Sequence, residues 1–165
     1  MQPLSCQHLR ERLPSLLPFA VLGSACIVAG GLVAAATAPL ELEHGSWMAA
    51  YLVLALGVGQ AALGAGQSLL ADRPPSPTVV ALEAGGWNLG GAMVVAGTLL
   101  SAPLLTTLAG VALLATLLLF VRGVREGGHG GEGSMRTARW LYLAILTILV
   151  VSVPVGVVLA WRRHG

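Results

Sequence analysis

The chain has 165 residues, of which 56% are hydrophobic and 10% charged, with a net charge of +2. Soluble domains carry about 25% charged residues, and a mean hydropathy of +0.83 excludes that class. So small a charge, with no basic helix or aromatic-basic repeat, excludes nucleic acid as a partner.

Five apolar stretches of spanning length fill most of the chain, and Glu83 is the single ionisable residue inside them. A hydrocarbon core of about 30 Å needs about 20 mostly apolar residues of helix. Lipid offers the backbone no partner, so each stretch must pair within itself. The expected fold is all-α, a polytopic transmembrane bundle of five spans forming one domain over residues 1–165. All nine cations are Arg, and Ala, Gly, Leu and Val dominate the apolar residues. That bias points to a high-GC genome.

The first span is expected over residues 16–38, after an amphipathic lead containing Arg10, Glu11 and Arg12, with Pro18 in its first turn. A rival reading takes this run as a secretory signal cut after Ala36-Thr37-Ala38. The run exceeds the usual 7–15 residues, and Pro39 would follow the cut. Gly23 also stands where a lipobox at Cys26 wants a Leu-like residue. Five spans is the preferred reading. Cys26 reads as a small apolar core residue, and Cys6 lies too far along the chain to meet it.

The second span is expected over residues 47–70, with Ser46 as its N-cap. Just before it, Glu41, Glu43, His44 and Met48 hold the chain's one cluster with ligand chemistry. His44 and Met48 could pair on a soft metal, yet the helix-start reading is preferred and no metal is expected. The third span is expected over residues 79–100, and the fourth over 103–121 with Pro103 in its first turn. A loop over residues 125–138 contains Gly-Gly-His-Gly-Gly-Glu-Gly at 127–133. Such a segment builds no core and is expected to be a mobile cytoplasmic linker, with His129 solvated. The fifth span, residues 140–161, starts and ends on Trp, as lipid–water boundaries favour. Pro154 inside it is expected to kink it.

Arg placement sets the expected orientation. A cytoplasmic N-terminus puts Arg10, Arg12, Arg73, Arg122, Arg125, Arg136 and Arg139 inside, and Arg162 and Arg163 outside. Seven against two predicts N-in, C-out.

Polar residues concentrate in the second and third spans, as Gln60 and Gln67, then Glu83 and Asn88. Antiparallel helices pair residues whose numbers share a constant sum. Pairing Gln60 with Asn88, and Gln67 with Glu83, centres the turn on Pro74-Pro75 in both cases. The register therefore predicts two polar rungs joining these helices, the first near mid-membrane and the second about 10 Å closer to the cytoplasm. Gly57, Gly64, Gly86, Gly90 and Gly97 are the candidate packing residues that let the two backbones meet. Glu83 is read as a structural bond to Gln67, a salt bridge to Arg73, or a snorkelling boundary residue. Proton or ion handling is its alternative role.

The tract His44-Gly-Ser-Trp-Met-Ala-Ala-Tyr51, with Gly57-Val-Gly-Gln60 and Gly64-Ala-Gly-Gln67, resembles short multi-pass membrane proteins of actinobacterial type. It covers about a third of the chain. The resemblance implies a plasma-membrane location and carries over no active residue.

The sequence holds no Ser/His/Asp set, Walker loop, dinucleotide fingerprint or paired intramembrane carboxylates. A non-enzyme with no cofactor, no metal and no catalytic residue is expected. Its partners are the lipid bilayer and either another membrane protein or further copies of the chain. The leading expectation is a membrane scaffold or accessory subunit docking other helices. The alternative is a small transporter or proton-conducting subunit using Glu83, Asn88, Gln60 and Gln67.

Overall fold

The computed structural model describes residues 6–71, 74–125 and 133–164. Five helices among them are long and apolar enough to cross a membrane, and no strand accompanies them. These are α1 (Cys6–Thr37), α2 (Gly45–Leu70), α3 (Pro77–Leu99), α4 (Pro103–Arg125) and α5 (Gly133–His164). They alternate in direction, so the α2–α3 turn, the start of α1 and the α4–α5 connection share one end of the bundle. That end is called the turn end below.

Several boundaries differ from the expected ones. Helix α1 begins at Cys6 and carries Pro14 and Pro18 inside it. The lead is held in line by Arg12, whose guanidinium donates to the carbonyls of Ser68 and Ala71. These are among the last carbonyls of α2, which lack helical partners and attract a cation. At the start of α2 the residue before Gly45 is His44, with no side-chain cap, so Ser46 is not the N-cap. Helix α4 runs past Val121 to Arg125, two cations in its last turn complementing the helix dipole. Helix α5 already begins at Gly133, so residues 133–138 are helical rather than part of a linker. Arg139 supports this start by donating to the Arg125 carbonyl at 3.1 Å. His129 and the glycines from 127 to 131 lie outside the described residues.

Helix α2 is not α-helical throughout. Residues Tyr51–Gly59 form a π-helical stretch between Gly45–Ala50 and Gln60–Leu70. Helix α2 touches all four other helices. Its closest backbone approach is to α1, while α3 packs most intimately against α4.

This arrangement corrects the expected role of the glycines, which were read as bringing the second and third spans together. Gly57 faces Gly23 of α1: a Cβ on either would sit 2.9–3.1 Å from the other's carbonyl oxygen. Gly64 leaves the notch that holds the Phe19 ring of α1. Gly86, Gly90 and Gly97 instead face Thr116, Leu113 and Thr106 of α4. Without a hydrophobic drive between helices in lipid, such close packing is a main source of association. Helices α2 and α3 meet chiefly through side chains, Gly91 receiving Leu56. The apolar core closes over them with Phe19 and Phe120, ring centroids 5.6 Å apart, and with Leu117, Val124 and Leu146.

Candidate functional site

Both expected rungs are present between α2 and α3. Asn88 donates through Nδ2 to Gln60 Oε1 at 2.9 Å. Gln67 donates through Nε2 to Glu83 Oε1 at 2.9 Å. Exposure is 0% for Gln60 and Glu83 and 1% for Gln67. Glu83 lies six residues into α3, about 9 Å from its first residue at the helical rise. Its register against Gln67, three residues before the end of α2, follows from the short turn between them.

Other helices complete the surroundings. Cys26 of α1 donates its thiol to Asn88 Oδ1 at 3.6 Å, so the half-buried cysteine is a polar partner and not only apolar filling. The second hydrogen-bonding partner of Asn88 Nδ2 is the Ala84 carbonyl at 2.8 Å. Trp87 is buried and donates to the Ala55 carbonyl inside the π stretch at 3.3 Å. Tyr142 of α5 donates to the Leu63 carbonyl at 2.9 Å, and its ring fills the space left by Gly66. Gly123 of α4 lies over the lower rung, where a Cβ would come within 2.7 Å of Gln67 Nε2.

Among the described residues, three buried side-chain atoms keep no partner: Gln60 Nε2, Gln67 Oε1 and Glu83 Oε2. Buried polar groups in proteins are nearly always paired, so each of these atoms calls for an explanation. Two of the three belong to the same rung. Arg73, the proposed salt-bridge partner of Glu83, lies outside the described residues.

Sequence reasoning found the four rung residues but not Cys26, Tyr142, Gly123 or Thr116. Tyr142 had one signal, being one of only two tyrosines. The glycines Gly23 and Gly30, one heptad apart on α1, carried a pattern as clear as those singled out. At the far end, Glu41, Glu43 and His44 are exposed except where Gly45 packs on Thr37. Among the described residues, no three of His, Cys, Asp and Glu gather as a metal site.

No family model matches the chain, and no curated protein or solved structure matches it either.

Proposed function

We propose that the protein is a small ion-translocating membrane protein, a transporter or proton-conducting subunit, working through Glu83, Gln67, Asn88 and Gln60. The observation that supports this reading is the carboxyl of Glu83, fully buried, with one oxygen bonded to Gln67 and the other unpartnered. An ionisable group inside a span costs several kcal/mol and marks a functional site by default. A purely structural rung needs no acid: Asn88 and Gln60 make one from two amides.

The polar column starts at the turn end with Glu83 and Gln67 and ends at Gln60 and Asn88, about 8–10 Å further in. Beyond it the bundle is closed by Leu56, Leu113 and the Trp87 ring, all buried. A column that reaches halfway suits a carrier that binds and rearranges, rather than an open pore. The π stretch Tyr51–Gly59 lies in the closed half, and π turns recur at functional sites.

The protein resides in the plasma membrane in this reading, with the N-terminus cytoplasmic by the Arg distribution, so the turn end faces the cytoplasm. The candidate packing glycines Gly57, Gly64, Gly86, Gly90 and Gly97 are occupied within the chain, which weakens the scaffold or accessory-subunit reading. One face keeps that second reading in play: on α5, Thr147, Ile148, Val151, Ser152 and Val155 line an open apolar groove. Reconstitution into liposomes tests the first reading: an imposed pH or sodium gradient should collapse faster than in empty liposomes. No excess flux, together with a stable larger complex in mild detergent, would favour the scaffold.

A further inference from the structure

We infer that Glu83 Oε2 and Gln67 Oε1 form the binding site for one small monovalent cation, a proton or a sodium ion. The inference rests on the translocation reading above and names what that carrier holds. It starts from the two unpaired oxygens, which belong to side chains already joined at 2.9 Å.

The leftover atoms are forced by the bond between these residues. Facing an ionised carboxyl, Gln67 turns its Nε2 toward it, because its own oxygen there would face another acceptor. That leaves Oε1 on the amide and Oε2 on the carboxyl, both acceptors and both buried. An anion or a second acceptor would repel them. A hydrogen or a metal cation would satisfy both at once. The third unpaired atom, Gln60 Nε2, is a donor two turns away on α2 and takes no part.

Among the described residues, the polar groups that α1 and α5 bring near the rung are engaged elsewhere. From α1, Arg12 is engaged with the Ser68 and Ala71 carbonyls at the end of α2, and the Cys26 thiol is engaged with Asn88. From α5, the Tyr142 hydroxyl is engaged with the Leu63 carbonyl. On α4 the cations Arg122 and Arg125 are exposed, and the buried groups at this level are Thr116, Phe120 and Val124. Gly123 leaves no room for a methyl group beside Gln67 Nε2, so the rung is closely packed on the α4 side.

Proton and sodium are separated by infrared difference spectroscopy on purified full-length protein, wild type against Glu83→Gln, in sodium and in choline buffer. A proton held at Glu83 gives a protonated-acid carbonyl band, indifferent to the salt and lost in Glu83→Gln. Bound sodium gives carboxylate bands that shift between sodium and choline in the wild type alone. Gln67→Leu, which removes Oε1 and keeps the acid, should displace the acid band or abolish the sodium shift. The sodium-minus-choline spectrum of the wild type needs no variant, so misfolding of either one leaves it readable. Carboxylate bands identical in both salts, with no acid band assignable to Glu83, would overturn the inference and leave a bridging water as the partner. These spectra read occupancy: a bound cation without liposome flux keeps the site and removes transport.

Discussion

Gln67 on α2 gives an amide hydrogen to Glu83 on α3 at 2.9 Å, and each residue keeps one buried oxygen unpaired. Every helix contributes to holding this rung or the one above it: α1 through Cys26 and Arg12, α4 through Gly123, and α5 through Tyr142. The bundle is organised around a polar contact that its packing encloses.

The upper rung should behave as a coupled pair. Asn88→Leu leaves the Gln60 amide without any partner, since its Nε2 already has none. The expected loss is about 1–3 kcal/mol for a stranded buried group. Adding Gln60→Leu should recover part of it, with a coupling of about 0.6–2 kcal/mol. Thermal melting of the two single variants and the double variant in detergent checks this; strictly additive losses would contradict it.

Glycine substitutions should sort by what each Cβ would meet. Gly64→Ala drives a methyl into the Phe19 ring, and Gly57→Ala drives one toward the Gly23 carbonyl. Each should lower stability by about 1–3 kcal/mol, the usual cost of overpacking. Gly31→Ala, with nothing within 4 Å, should melt like the parent or slightly higher. Equal effects at the three positions would argue against the α1–α2 contact.

Tyr142 should matter more for its ring than for its hydroxyl. Tyr142→Phe loses one bond to the Leu63 carbonyl, about 0.5–1.5 kcal/mol. Tyr142→Ala also empties the space beside Gly66 and should cost about 3–5 kcal/mol, the range for a large aromatic. Detergent melting of both variants tests the ordering.

Orientation is open to direct measurement. Reporter fusions at His129 and after Gly165 should read cytoplasm and exterior respectively. Finding both on one side would show that α5 does not cross, finding both ends of the protein on one side would contradict five spans, and the reverse pair would contradict N-in.

The polar register was legible because polar residues are scarce in these spans and helical rise converts position into depth. Two independent pairs around one Pro-Pro turn left little freedom. Which helix each glycine meets was not legible. A glycine states that a backbone can be approached there, and several helices can make the approach; Gly57 and Gly64 turned to α1, and Gly86, Gly90 and Gly97 to α4. The π stretch left no mark in composition, since the same residues serve an α-helix. It did not spoil the register, because it ends at Gly59, before the α-helical stretch Gln60–Leu70 that sets the heights of both rungs. Cys26 and Tyr142 escaped because a thiol and a phenol are common as apolar filling, and only the position of Asn88 and of the Leu63 carbonyl gives them a polar task. The early start of α5 escaped for another reason: its first residues are polar and glycine-rich, with weak helix propensity, and the Arg139 bond to the Arg125 carbonyl leaves no sign in the sequence.

On the translocation proposal the Glu83 carboxyl works on an ion, and is not merely a rung. Glu83→Gln separates the two roles, because a glutamine oxygen still accepts the Gln67 hydrogen while the ionisable group is gone. The decisive measurement is gradient collapse in liposomes carrying Glu83→Gln, with detergent melting of the same preparation as control. The account predicts parental melting and flux reduced to that of empty liposomes. Wild-type flux from Glu83→Gln would contradict it.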